Sequence, residues 1–172
     1  MKIRLGTEKD LSQIIDIQNY WLEQQAESSK GFLFGEPYTY EDLAELTLRK
    51  QIAVAVKNNM ICGYFLFDNY SRNHTTYRYK MYLTNLISNG YIDYSLENLC
   101  PRAQIAVHKS FLGHNLSRKL TKYLFDKSGY KFEAIFSTVS KKNLNLETHL
   151  KNGWNVIGEN DELHFVLLRI KN

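Results

Sequence analysis

Two apolar runs, Ile52–Val56 and Met60–Phe67, stand on either side of Asn58-Asn59. Asparagine tolerates the left-handed backbone that a tight two-residue turn requires, so the segment is a β-hairpin. This commits the middle of the chain to antiparallel sheet, and the other elements must be arranged around it.

Upstream, Ile3-Arg4-Leu5 alternates as a short strand, and Thr7 with Asp10 forms a helix-capping pattern. Leu11, Ile14, Ile15 and Leu22 recur at helical spacing, predicting an amphipathic first helix. Glu27 to Tyr38 reads as irregular loop. Thr39 with Asp42 repeats the capping signal ahead of a short helix carrying Leu43, Ala44 and Leu46.

Downstream, Tyr70 to Asn98 is polar and tyrosine-rich, with a helix expected within Tyr79–Ser88 and a turn at Asn89-Gly90. Ala103 to His108 is a third core strand. Leu116, Leu120, Tyr123 and Leu124 line one face of a helix that stops at Gly129. Glu133–Ser140 is a strand and Asn143–Asn152 a helix with Gly153 past its end. Asn155–Gly158 and Glu162–Ile170 finish as strands. The order predicts a mixed α/β domain over residues 1–172, without repeats, carrying an insertion at about 70–98.

The 172 residues suffice for one self-supporting core, and 44% hydrophobic with 23% charged residues excludes a disordered chain. Net charge is +4 with no block of Lys/Arg, so a nucleic-acid surface is not expected. Cys62 and Cys100 are too few for a disulfide framework and lack metal-ligand spacing, which predicts a reducing, cytoplasmic setting and no metal. The start Met1-Lys2-Ile3-Arg4 does not read as a signal peptide, and no apolar run is long enough for a membrane span. Cys62 lies in an apolar strand and reads as core. Cys100 has no base paired with it in sequence, so covalent cysteine catalysis is not expected.

The segment with most chemical content is Ala103 to Leu120, where a strand ends, a polar loop containing Gly113 follows, and an amphipathic helix opens. Such a junction presents backbone N–H groups at a helix N-terminus, a place suited to an anion. A plain connector would look the same. The segment also resembles the acetyl-CoA motif of the GNAT superfamily, a strand followed by Gln/Arg-x-x-Gly-x-Gly/Ala and a helix. Aligned on Phe111, Gly113 and the Leu116/Leu120 spacing, the three key slots fall on Leu112, Asn115 and Ser117. None is the usual residue. Asn115 can still adopt a left-handed backbone and Ser117 is small, whereas Leu112 offers no polar side chain.

The resemblance extends along the chain in the right order. Ile3–Leu11 is similar to the family's first strand and helix start, and the Ile52–Phe67 hairpin, with Asn-Met-Ile-Cys-Gly63-Tyr, to its second and third strands. Val139–Trp154 is similar to the second motif, in which an Asn precedes a helix ending in Gly-aromatic. That Asn slot lands on Lys142 or the adjacent Asn143, and His149 falls where the family commonly carries Tyr.

The resemblance implies a mostly antiparallel central sheet flanked by helices, with acetyl-CoA as acyl donor. It implies cofactor contacts at Ile105, Val107, Leu112, Gly113, His114, Asn115, Leu116, Ser117 and Asn143. An amine would attack the thioester directly, backbone N–H groups around Ile105–Val107 would face the developing oxyanion, and His149 is the candidate acid. An ordinary exposed helix position would also explain His149. His108 and Glu97 are weaker candidates for a base, which stays unassigned. Arg118, Lys119, Lys122, Lys141 and Lys142 could reach phosphate or simply be solvated.

The acceptor expected is a small-molecule or peptide amine. The tyrosines at 70, 77, 79, 82, 91 and 94 would wall a small pocket, form an oligomer contact such as a homodimer, or cover a sheet edge. Two alternatives stay open. Leu112, Asn115, Ser117 and the missing base also fit a catalytically weak acyl-CoA-binding regulatory domain. An acyltransferase acting on charged tRNA would show strongly salt-dependent binding.

Overall fold

A computed structural model describes residues 1–24, 33, 35–69, 75–142 and 145–170, and its backbone divides into two compact units. The first unit comprises residues 1–26, 32–67 and 104–130. It contains β1 (Lys2–Leu5), α1 (Leu11–Glu23), α2 (Tyr40–Leu48), β2 (Ile52–Lys57), β3 (Met60–Phe67), the second half of β4 (Leu99–Val107) and α4 (Leu116–Ser128). The second unit contains α3 (Thr75–Ser88), the first half of β4, β5 (Ala134–Ser140), α5 (Asn145–Lys151), β6 (Asn155–Glu159) and β7 (Leu163–Arg169).

In the first unit the strands run β1-β2-β3-β4, and β2 pairs antiparallel with both β1 and β3. Asn58 and Asn59 both take positive φ, 51° and 61°, the turn geometry that matches the right-handed twist of the flanking strands. A bulge between Ala55 and Val56 shifts the register, so Ala55 faces Gly63 while Val56 faces Ile61. Gly63 is required by proximity: a Cβ there would lie 2.9 Å from the Ala106 carbonyl oxygen and 3.2 Å from Val107 Cα. β2 and β3 are almost wholly buried, with α1 and α4 packed on strands of this unit.

Both predicted capping patterns form. Thr7 N and Oγ1 each donate to Asp10 Oδ2 at 2.8 Å, and the Arg4 guanidinium grips the same carboxylate at 2.6 and 2.8 Å. Thr39 N donates to Asp42 Oδ2, and Asp42 N donates back to Thr39 Oγ1. A 3-10 turn, Glu8–Asp10, precedes α1.

In the second unit the order is β4-β5-β7-β6. β4 and β5 pair in parallel, whereas β7 is antiparallel to β5 and β6. The third core strand therefore starts at Leu99 rather than Ala103. Leu99, Cys100 and Pro101 pair with Ala134, Ile135 and Phe136, and Pro101, which has no N–H to give, accepts at its carbonyl from Asp68 N at 3.3 Å.

The helix expected in the insertion is longer than predicted, spanning Thr75–Ser88. It closes on Gly90 with bonds from Gly90 N to Ile87 O and from Tyr91 N to Leu86 O. Its tyrosines pack on the sheet. Tyr82 stacks on Phe165 at 4.2 Å, and Tyr79 meets Phe136 and Phe165 edge-on. Tyr82 lies against Gly158, where a Cβ would strike its hydroxyl. Sheet coverage thus accounts for Tyr79, Tyr82 and the partly buried Tyr94. Tyr91 stands out in solvent, and Tyr70 lies outside the described residues. Most of the Glu27–Tyr38 loop does as well.

Candidate functional site

The strand–loop–helix segment is organised by backbone. β4 ends at Val107, His108 opens a 3-10 turn over Lys109–Phe111, and its Nδ1 accepts from Ser110 N at 3.3 Å. Leu112 is extended, Gly113 has φ 80°, and Asn115 has φ 54° and ψ 33° at the N-cap of α4. A left-handed N-cap turns the chain abruptly into the helix, a conformation Asn adopts at less cost than other residues with a side chain. Among the described residues, apart from its two chain neighbours, no atom lies within 4 Å of the position a Gly113 Cβ would take, so that glycine answers to backbone angle rather than crowding.

The anchor of this loop is apolar. Leu116, Leu120 and Leu124 are fully buried on one face of α4, which fixes the helix and leaves its first turn of N–H groups without intrahelical acceptors. Thr121 Oγ1 donates to Ser117 O, and Lys119 Nζ lies 3.5 Å from His114 O. Cations stand nearby in the same unit: Lys57 Nζ is 5.9 Å from the Phe111 ring centroid, and Lys109 Nζ is 5.0 Å from that of Tyr20. Lys122 instead pairs with Asp126 at 3.0 Å. Leu112, in the slot where a polar side chain would serve a phosphate, is 46% exposed.

The end of β4 is pinned. Trp21 Nε1 donates to Val107 O at 2.9 Å, and His108 N donates to Cys62 O at 2.9 Å. Behind it, Tyr64 OH donates to Gln104 Oε1 at 2.8 Å, with both residues buried. Burial pushes the Tyr64 phenol far above its usual range, so it stays a neutral donor. Ile105 is partly buried and Val107 nearly fully so.

In the second unit His149 is half-buried on α5. Its Nε2 lies 2.8 Å from Arg102 Nη2, and its ring meets Trp154 edge-on at 5.3 Å. A guanidinium only donates, so Nε2 accepts and the ring proton stands on Nδ1. Arg102 Nε donates to Ser137 Oγ at 2.9 Å, and the guanidinium carbon lies 4.4 Å from the Trp154 ring centroid. Burial lowers the Arg102 pKa to about 10, which still leaves it charged at neutral pH.

Glu97 is exposed beside a short turn, and Lys141 pairs with Glu159 at 3.2 Å. Asn143 lies outside the described residues, and Lys142 is exposed. Cys62 and Cys100 are buried with thiols pushed up by burial, so neither is an activated nucleophile. Sequence reasoning missed Arg102, Ser137 and Trp21. The available signal was Arg102 itself, a charge set directly after Pro101 in a segment that the structure makes a strand.

No family model matches the chain, and no curated protein matches it in sequence. Solved structures do. The chain is similar to PaiA N-acetyltransferase from Thermoplasma acidophilum, crystallised with coenzyme A. Identity is 14% over 98% of both chains, with a TM-score of 0.67. It is similar to YncA from Salmonella typhimurium, a putative acetyltransferase with acetyl-CoA, at 16% identity over 100% of this chain and 95% of that one, TM-score 0.63. It also matches 35% of N-acetylglutamate synthase from Neisseria gonorrhoeae, complexed with coenzyme A and N-acetyl-glutamate. There 99% of this chain aligns at 11% identity, TM-score 0.66. At these identities the likeness establishes a shared fold. Among the described residues, no helix is long and apolar enough to cross a membrane.

Proposed function

We propose that this chain, which has the fold of the GNAT N-acetyltransferases, moves an acetyl group from acetyl-CoA to a primary amine of a small molecule or peptide. The observation that carries the reading is the β4–loop–α4 junction. A left-handed Asn115 leads the chain into α4, and in this reading the N–H groups from Gly113 to Ser117 would be offered together to an anion. The cofactor's pyrophosphate would rest on these amides, with His114 and Leu116 supplying further backbone and Lys109 and Lys119 adding positive charge.

The amine nitrogen attacks the thioester carbonyl carbon and forms the new C–N bond. The C–S bond breaks, coenzyme A departs as thiolate, and the ammonium proton passes to solvent. Backbone N–H groups at Ile105 and Val107 would meet the developing oxyanion, and the Trp21 bond to Val107 O holds the Val107–His108 peptide that follows them. His149 is the proposed acid: in the neutral ring that accepts from Arg102 at Nε2, the Nδ1–H would hydrogen-bond the departing thiolate, and the proton released by the amine reaches the sulfur through solvent. Asn143 is retained as a cofactor contact from the resemblance alone.

Residues 1–172 would act as one acetyltransferase domain with the 70–98 insertion, in the cytoplasm, where two buried thiols remain reduced. A homodimer through the exposed part of the insertion is compatible with this reading.

Calorimetric titration with acetyl-CoA, followed by a thiol-release assay over an amine panel, tests the proposal. Saturable binding and amine-dependent thiol release are expected. Ser117→Glu, which sets a negative charge at the helix N-terminus, should weaken binding by about tenfold or more. No acetyl-CoA binding would overturn the reading. The exposed Leu112 favours a second one, a regulatory acyl-CoA-binding domain, for which tight binding without turnover on any amine is the signature.

A further inference from the structure

Three buried polar atoms of the first unit have no hydrogen-bond partner among the described residues: Thr47 Oγ1 and both ends of the Gln51 carboxamide, Oε1 and Nε2. Gln51 is completely buried. Buried polar side-chain atoms in folded proteins are nearly always paired, because an amide in an apolar surround without a partner is expensive. Two such residues, four positions apart, therefore call for a common explanation.

The backbone holds both residues in place. Leu43 and Leu46 are buried on the inner face of α2, and Thr47, four residues after Leu43, continues that stripe. The helix ends at a left-handed Lys50 with φ 58°, where Lys50 N donates to Thr47 O and Gln51 N donates to Leu46 O. Gln51 O then accepts from Phe67 N at 3.2 Å, which clamps the residue between the end of α2 and the end of β3. Its N–H and C=O are thus both satisfied. Only the side chain is not.

The chemistry of these atoms selects the ligand. A hydroxyl and a carboxamide offer donors and acceptors together and carry no charge. A divalent cation would need anionic oxygens, and an anion would need a cationic side chain. The ionic side chains next in sequence face outward instead: Arg49 pairs with Glu45 on the exposed side of α2, and Lys50 is exposed. Water is the small neutral molecule that both donates and accepts. One water can accept from Nε2 and donate to Oε1 of the same carboxamide, which leaves its second hydrogen for Thr47 Oγ1. We propose that Gln51 and Thr47 bind an ordered internal water, which joins the end of α2 to the residue that opens β2. The site stands whether or not the chain acetylates amines.

A crystal structure of the parent protein tests this directly. A spherical density peak is expected within about 3.2 Å of Gln51 Oε1 or Nε2, with Thr47 Oγ1 in reach of the same peak. In solution, magnetic relaxation dispersion of the water oxygen counts molecules that stay inside the fold. Gln51→Met should lower that count by at least one, and Thr47→Ser, which keeps the hydroxyl, should leave it unchanged. A shared water also couples two side chains that are not bonded to each other. The Tm changes of Gln51→Met and Thr47→Val should therefore fail to add in the double variant, by about 2 °C or more.

A carboxamide that is dry in the crystal, or bonded directly to another protein group, overturns the proposal. So does a peak whose contact distances and anomalous signal belong to a metal ion, and a water on Gln51 that Thr47 does not reach refutes the shared site. An unchanged water count in Gln51→Met, together with additive Tm changes, overturns it without recourse to crystals. Circular dichroism reports whether each variant is folded. Should Gln51→Met fail to fold, the parent crystal structure decides alone.

Discussion

Gly63→Ala probes how closely β3 is fitted against the end of β4. The added Cβ would come 2.9 Å from the Ala106 carbonyl oxygen, 3.2 Å from Val107 Cα and 3.4 Å from Val107 Cγ2. Two of the three neighbours are backbone, so no rotamer change relieves the clash. Restoring ordinary contact of 3.4 Å to that oxygen requires the strands to separate by about 0.5 Å, the tolerance within which a working site must be held. Overpacking of this kind costs about 1–3 kcal/mol, and the lower entropy of the unfolded alanine chain returns about 0.4–1 kcal/mol. The net loss of about 1–2 kcal/mol corresponds to a Tm lower by about 3–8 °C in a chain this long. The functional effect is sharper, because Val107 carries the amide proposed to face the oxyanion. A displacement of this size should lower kcat/KM about tenfold while the acetyl-CoA Kd changes much less. Differential scanning calorimetry and the thiol-release assay measure the two effects. A Tm within about 1 °C of the parent, with unchanged turnover, would refute the close-approach argument.

Arg4→Ala tests the ion pair below the first capping pattern. Burial raises the Asp10 carboxyl, but hydrogen bonds from Arg4 and Thr7 outweigh it and hold the pKa below the usual range. A depressed folded-state pKa gives stability that is present above the unfolded value of about 3.9 and lost as pH falls through the folded value. The Asp10 side chain is 6% exposed and Arg4 33%, so the variant should lose about 2–3 kcal/mol at pH 7, somewhat less than a fully buried pair. That deficit should shrink below about pH 4, and urea melts showing the same deficit at pH 7 and pH 3.5 would contradict the pairing. Trp21→Phe strips the donor from Val107 O and should cost about 1–3 kcal/mol in denaturant titration, with an intact acetyl-CoA Kd arguing against a positioning role. Asn115→Val places a β-branched residue at φ 54° and should lose about 1–2 kcal/mol together with acetyl-CoA affinity, whereas Asn115→Gly should retain both.

The elements that sequence specified well are those whose signals are local. Asn58-Asn59 encodes its own turn, the Thr7/Asp10 and Thr39/Asp42 pairs encode helix starts, and Gly129 and Gly153 mark helix ends by adopting left-handed angles. The misplaced start of β4 has a non-local cause, since Leu99–Pro101 become strand by pairing with β5 thirty-five residues later. The tyrosines of the insertion were ambiguous for the same reason. Only the tertiary structure shows Tyr82 filling the space that Gly158 leaves. In the candidate site, the loop from Val107 to Ser117 could be read from its strand–Gly–helix order. Arg102, His149 and Trp154 could not be grouped, because 47 residues separate the first two and no periodic pattern links them.

The bond from Trp21 to Val107 closes a loop of 86 residues. Closure over so long a span is entropically unfavourable and becomes worthwhile only after the hairpin and α4 have supplied local structure. The Val107–His108 peptide, next to the one proposed to face the oxyanion, would then be among the last parts of its unit to acquire a fixed orientation, well after the amides at the start of α4. Hydrogen exchange should register that sequence, with the Val107 region opening at lower free energy than Leu120 or Leu124. A ligand contacting Val107 would stabilise the docking of α1 by the same amount that docking improves its own affinity. A fluorescent change at Trp21 on adding acetyl-CoA would be the direct reporter of that linkage.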